Sequence, residues 1–383
     1  MTRAVAGGLA LGFAVGWNVA NTGAVAGPLS DAYGVPLAAV GLLTTALFVT
    51  HFASQIPGGR LVDRIGARRA GLGAVAIIIV GNLAALVAAS FPLALGARLV
   101  IGLGTGVGIV AGADYVRWAT PSPTAQGLYG GAAVGGGGLA IAIVPLLSGW
   151  RAPYASAVVV AVVLGAVLAS ASAYERREVH AARTASVIRD RRLYPLAALH
   201  TASFALSVIA GNWIVDLLHR HGESRRLAGA VGALILVLGL PTRALGGLAL
   251  GSAVARRALA ASIVAGAAAL ALLATPAPLA VLVVASAAAG LAAGVPFASA
   301  FAGAQRLRPD APAAAVGFVN AVATLTIVAG TPLIGLTFSL PGSGRLGFAV
   351  LAALWLAALP AVRYIPAGPL VRQGDNQSTD RAP

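Results

Sequence analysis

Two arginines and two histidines, Arg98, Arg243, His51 and His200, stand inside stretches of chain that are otherwise almost wholly apolar. A guanidinium stays charged at any working pH and presents a planar fork of donors. Away from water it asks for an oxyanion, a carboxylate or a fence of carbonyls. Carboxylates are scarce here. Asp31 and Asp216 fall at one set of ends of the apolar stretches, Asp63 and Asp114 at the other, and none lies at a centre. Positive charge without an internal counterweight suits an anion, and it disfavours a cationic cargo, which needs a buried acid. His51 precedes Gln55 by one helical turn. With His200, it is the deep side chain able to exchange a proton near neutral pH. Asn18, Asn21 and Thr22, then Asn212 and Asn320, add neutral hydrogen-bonding groups. We expect a substrate site drawn from Arg243, Arg98, His51, Gln55, Asn18, Asn21, Asn212 and Asn320, with Arg243 as the main charge partner.

The elements that must position these groups follow from composition. Of 383 residues 58% are apolar and only 10% charged, and the mean hydropathy is +0.89. A soluble chain carries about a quarter of its residues charged. This one is therefore not a soluble enzyme, a disordered chain or a nucleic-acid module. Twelve stretches reach the roughly 20 apolar residues that cross a bilayer core: about 5–28, 38–58, 70–91, 93–116, 126–148, 154–174, 194–217, 227–250, 259–276, 279–302, 313–337 and 346–364. Membrane strands alternate polar and apolar residues, and Ala74–Val80 does not, so the spans are predicted to be helices. All 26 basic residues are arginine and there is no cysteine, which excludes disulfides and thiol chemistry. With the N-terminus placed in the cytoplasm, nineteen arginines fall on the cytoplasmic side and five outside. That bias predicts a multi-pass protein of the cytoplasmic (inner) membrane with both termini inside. It also makes the net charge of +15 an orientation signal rather than a nucleic-acid footprint.

The chain is written twice. A shift of 188 residues carries Gly58-Gly59 onto Gly246-Gly247, Ala67-Arg68-Arg69-Ala70 onto Ala255-Arg256-Arg257-Ala258, and Gln55 onto Arg243. An all-α integral membrane protein of two pseudo-symmetric six-helix bundles is expected: 1–174, a cytoplasmic linker at 175–193, 194–364, and a disordered tail at 365–383. Parallel repeats of this kind belong to carriers that rock around a central site.

Gly59-Arg60-Leu61-Val62-Asp63-Arg64-Ile65-Gly66-Ala67-Arg68-Arg69, placed between spans 2 and 3, is similar to the loop signature of the major facilitator superfamily, and Arg98 to Gly104 resembles that superfamily's fourth-span motif. The second copy of the signature, Gly247 to Arg257, has Gly251 in place of the aspartate. An acid such as Asp63 is able to cap a helix N-terminus in the other half. Gly59, Asp63, Arg64, Gly66, Arg68, Arg69 and Asp114 are thus expected to form a latch at the cytoplasmic mouth, Asp114 through Arg64 or Arg68. Within the superfamily, Arg243-Ala244-Leu245-Gly246-Gly247 and the glycines at 130–138 resemble nitrate/nitrite porters. Gln55 departs from that pattern, and cyanate-permease-like relatives are about as similar.

The reading is a secondary active transporter, not an enzyme, acting by alternating access. Its expected cargo is a small anion such as nitrate, nitrite, cyanate or a small carboxylate. The alternative is an exporter of neutral or hydrophobic compounds. No Gly-x-x-x-x-Gly-Lys loop exists, so a gradient must drive it, with a proton as the expected coupling ion. No metal, cofactor or nucleic-acid partner is expected, and the chain is expected to be a monomer in its bilayer.

Overall fold

The structure, a computed structural model, describes residues 2–172, 184–249, 254–342 and 344–365. Arg176, Arg177, Arg183, Gly251, much of the expected linker and the tail beyond Ile365 lie outside them. Every regular element among the described residues is helical. In chain order they are α1 (Arg3–Ala20), α2 (Ala26–Tyr33), α3 (Leu37–Ile65), α4 (Ala67–Leu86), α5 (Phe91–Ala119), α6 (Pro123–Ile143), α7 (Ala152–Ser170), α8 (Thr184–Ile188), α9 (Leu193–His200), α10 (Ser207–Arg220), α11 (Arg225–Val237), α12 (Gly239–Ala249), α13 (Ala255–Leu273), α14 (Leu279–Leu307), α15 (Pro312–Leu336) and α16 (Arg345–Leu356).

Local chemistry sets the ends. Pro36, Pro92, Pro123, Pro278 and Pro312 sit at or beside helix starts, where a missing N–H costs nothing. Ser122 caps α6 by accepting from the Ala125 amide. Among the described residues, eleven helical spans are long and apolar enough to cross a membrane. The twelfth is α1, whose 18 residues include Arg3 and Asn18. Large apolar side chains such as Val80, Leu146, Val159 and Val284 point outward, as a lipid-facing surface requires.

Four spans differ from expectation. The second does not stop at Gly58-Gly59: α3 runs through Pro57 and both glycines to Ile65, because small residues let a neighbouring helix approach closely instead of breaking the helix. Gly59, Asp63 and Arg64 therefore ride on its last turns, and Gly66 alone makes the corner at φ +88°. The first span breaks after Ala20, the seventh contains a π-helical stretch at Thr201–Leu206, and the eighth is interrupted at Leu238 between α11 and α12.

The internal repeat is legible in the packing. A Cβ on Gly106 would meet Ser54 and His51, and one on Gly294 would meet Thr242 and Gly239. Gly58 abuts Val107 as Gly246 abuts Val295. Each of these contacts recurs at the same offset in the second bundle. The bundles meet along two matching seams, α3 against α15 and α12 against α6. A Cβ on Gly59 would fall 2.5 Å from the Ala314 Cα, and one on Gly247 would fall 2.5 Å from the Pro123 carbonyl oxygen.

Candidate functional site

The residues singled out from the sequence separate into three groups. The first is confined to one bundle. Arg98, fully buried, donates through Nε to the Leu43 carbonyl at 3.1 Å and through Nη1 to the Asn18 carbonyl at 2.8 Å and Asn21 Oδ1 at 3.3 Å. Asn82 donates to Asn18 Oδ1 at 2.8 Å, and Asn21 Nδ2 donates to the Pro153 carbonyl at 2.8 Å. Five helices, α1, α3, α4, α5 and α7, are tied by this fence. His51 also stays within its bundle, its Nδ1 3.0 Å from Thr105 Oγ1 on α5. Asn82 sits at mid-span in an apolar run, so the sequence rule that picked Asn18 was enough to find it.

The second group crosses both seams. Gln55 on α3 donates to Thr324 Oγ1 on α15 at 3.1 Å, and that hydroxyl donates to the Asn320 carbonyl at 2.9 Å. Asn320 Oδ1 lies 2.9 Å from His200 Nε2. The His200 ring packs against Phe204, Phe297 and Phe301. Across Phe297 lies Arg243, its Cζ 4.7 Å from the ring centroid. Its Nη1 donates to the Gly130 carbonyl on α6 at 2.8 Å. Gly130 is required there, because a Cβ would fall 2.2 Å from the Phe297 ring. Positions 55 and 243, equivalent in the repeat, thus each bridge the two bundles. Gln55 Oε1, His200 Nδ1 and Arg243 Nε are all buried without a hydrogen-bond partner. Each such group costs about 1–3 kcal/mol, so the cluster is buried, incompletely satisfied by protein groups and positive. Asn212, by contrast, lies exposed on α10, away from this chain of contacts. Thr324 and Phe297 carried no sequence signal beyond Thr324 lying one turn from Asn320.

The third group surrounds the α3–α4 corner. α15 begins at Ala311-Pro312 with no side-chain cap of its own. Asp63 supplies one from the other bundle, its Oδ1 accepting from the Ala313 amide at 3.1 Å and its Oδ2 from the Ala314 amide at 3.2 Å. A carboxylate at a helix N-terminus also meets the positive end of the dipole. Arg68 donates to the Leu168 and Ala169 carbonyls at the end of α7, while Arg64 and Arg69 are exposed. Asp114 pairs with Arg117 at 2.7 Å rather than with Arg64 or Arg68, since one helical turn on α5 places that guanidinium nearest. At the same end α8 is held by Arg308, which donates to the Ser186 carbonyl at 2.9 Å and to Asp310 at 2.6 Å, with Asp190 3.8 Å away. The hydrogen bond from Arg192 holds the Asp190 carboxyl below the usual carboxylate range, and the one from Arg308 does the same for Asp310.

The glycine-rich α6 is a packing surface. A Cβ on Gly127 would fall 2.1 Å from the Arg243 carbonyl oxygen and one on Gly136 2.1 Å from that of Phe13, while Gly138 faces open space.

A family model described as the Major Facilitator Superfamily matches residues 8–249. The chain belongs to the Major Facilitator Superfamily. Its paired bundles, inter-bundle seams and α3–α4 corner are those of a secondary transporter spanning the membrane many times. Among curated proteins, 169 residues are 27% identical to an Arabidopsis thaliana protein named D-xylose-proton symporter-like 2, covering 42% of this chain and 34% of that protein. The chain thus spans about a third of the length of that relative. Among solved structures, the human organic anion transporter MFSD10 (TETRAN) superposes with a TM-score of 0.73 at 16% identity, over 94% of this chain and 98% of that one. The proton:xylose symporter XylE gives 0.73 at 14% identity, over 95% of each chain. The Escherichia coli fucose:proton symporter FucP gives 0.73 at 14% identity, over 96% of this chain and 98% of that one. At these identities the likeness is one of fold.

Proposed function

We propose that this superfamily member is a proton-coupled symporter of small anions of the nitrate, nitrite, cyanate or small-carboxylate class. In this reading the cargo is held by Arg243, with Gln55 and Asn320 completing its hydrogen bonds. The observation that carries the reading is Arg243: buried, bonded to one carbonyl, covered by Phe297, with Nε unpartnered and no acidic side chain among its contacts. A guanidinium in that condition gains more from an anion than from any neutral ligand. Arg98, fenced by carbonyls and Asn21, holds its bundle together. Asp63 and Gly59 latch the two bundles at what we take to be the cytoplasmic mouth, with both termini on that side. The state described has this mouth shut, so cargo enters from the opposite face and the latch opens as the carrier turns.

A neutral sugar cargo is the second reading, favoured by the match to a protein named for D-xylose–proton symport. Uptake of labelled nitrate, nitrite, cyanate, acetate and xylose into proteoliposomes separates the two. The anion reading expects saturable anion uptake that falls at least a hundredfold in Arg243→Gln. Xylose uptake insensitive to Arg243→Gln, with no anion uptake, refutes it.

A further inference from the structure

His200 is a buried basic group that the cargo reading leaves without a task, and its surroundings are specific. It is the last residue of α9, immediately before the π-helical stretch Thr201–Leu206. Such irregular turns frequently accompany functional sites. Its Nε2 lies 2.9 Å from the oxygen of the Asn320 amide. An amide oxygen only accepts, so Nε2 carries the hydrogen. In the neutral ring the lone pair then resides on Nδ1, and Nδ1 is buried without a partner. A basic nitrogen is thus held inside the membrane without a protein partner.

The groups facing the ring are few. From its own turn comes Phe204, from α14 Phe297 and Phe301, and from α15 the Asn320 amide. From α12 comes Arg243, whose guanidinium covers Phe297 and whose charge acts on the ring. Arg363 and Tyr364, after α16, lie exposed at the surface. Among the described residues, Arg243 is the one charge acting on this imidazole. His51, in contrast, has its Nδ1 engaged by Thr105 in the other bundle.

We infer that His200 is the proton-carrying residue of this transporter, and that it accepts its proton at Nδ1 only once an anion occupies Arg243. This rests on the anion reading. With Arg243 bare, a second positive charge one ring away in this buried cluster meets strong repulsion, because charges interact steeply at low dielectric. An anion on Arg243 cancels that charge and leaves the imidazolium a neutral neighbourhood with the anion close by. The step balances as one anion bound, one proton taken from water by the Nδ1 lone pair, and Nε2–H kept on Asn320. The seam then carries the same net charge loaded as empty, so the loaded carrier reorients at no added electrostatic cost and cannot do so with the proton alone.

The probe is nitrate, added to purified protein in weakly buffered detergent with a pH dye, alongside a binding isotherm. The expected result is uptake of about one proton per nitrate bound by the wild type near neutral pH. His200→Gln should bind nitrate with less than a tenth of that proton uptake, while His219→Gln, at the exposed end of α10, behaves as wild type. In proteoliposomes, His200→Gln should keep nitrate exchange yet lose accumulation driven by an inward proton gradient. Nitrogen-15 spectra of histidine-labelled wild type report independently of any substitution at 200. Nitrate should convert one ring to the imidazolium, and that ring should persist in His51→Gln. Nitrate binding with no proton uptake, or proton uptake unchanged in His200→Gln, overturns the assignment alone. A wild type that binds none of nitrate, nitrite, cyanate and acetate overturns the anion reading and this inference with it.

Discussion

Replacing Asp63 by Asn should unlatch the arginine-rich mouth by an amount that the geometry sets. Asp63 holds two amides of an otherwise uncapped helix, at 3.1 and 3.2 Å. A hydrogen bond to a charged group contributes about 1.5–3 kcal/mol, and a partly buried charge at a helix end contributes up to about 2 kcal/mol. These describe the same interaction and are not summed. Asn keeps one acceptor oxygen and loses the charge, so about 1–2 kcal/mol of closed-state preference disappears, or roughly a 5- to 30-fold change in the closed-to-open ratio. Asp63→Ala, keeping no acceptor, should go further. The assay is pulsed-electron distance measurement between nitroxides at Arg69→Cys and Arg257→Cys. These exposed positions occupy equivalent first turns of α4 and α13, and the protein has no cysteine of its own to interfere. Asp63→Asn should add a longer-distance population that the parent lacks, and Asp63→Ala should enlarge it. A distance distribution that matches the parent in both variants, with labels that still respond to cargo, would refute the latch.

Three further outcomes follow from the same contacts. Arg98→Met strips hydrogen bonds from the Leu43 and Asn18 carbonyls and from Asn21. A heat-denaturation series should show a loss of about 2–4 kcal/mol, with half-saturation for cargo unchanged in the protein that remains folded. Gly127→Val places a side chain on the Arg243 carbonyl and should cut transport at least tenfold, while Gly138→Val, which meets nothing within 4 Å, should transport as the parent does. The carboxyls of Asp190 and Asp310 are held below the ordinary 3.8 by Arg192 and Arg308. Their hold on α8 is therefore complete above that value and is lost as pH falls through the lower folded-state values. Hydrogen exchange corrected for intrinsic rate should rise in residues 184–193 below about pH 4 and stay level in α13. The effect should be modest, because Asp310 is half exposed and solvent screens it.

Membrane spans are the most legible part of such a chain, because a run of about 20 apolar residues has few other destinations. The 188-residue offset was equally open to inspection: it places Gln55 opposite Arg243, and the structure seats both on the seams. Less was visible where meaning depends on a distant partner. Gly58-Gly59 is a breaker pair in water, yet within α3 it is a contact surface, and only the presence of α15 and α5 makes it so. Arg98 announces a buried charge, but the carbonyls that satisfy it come from α1 and α3. Phe297 is unremarkable in sequence until it separates His200 from Arg243. Asp63 read as a helix cap in the other bundle, and the amides of Ala313 and Ala314 are where it lands.

The repeat gives a physical reason for the way chemistry is distributed. Glycine contacts recur at the same offset in both bundles, so the two seams have matched shape. The groups that bridge the seams do not recur. Position 55 carries an amide and position 243 a guanidinium; Asp63 caps α15 from one bundle, while a glycine stands at 251 where its counterpart would be. A two-fold axis along the membrane normal relates the bundles to each other and not the two membrane faces, so the balance between the faces is set by the groups at each end. On the function proposed here, the latch on one seam and the charge on the other bias the resting state toward one face and make the central site answer to cargo. The shape that permits rocking is thus shared by the two halves, and the free-energy differences that direct it come from the few residues at which they differ.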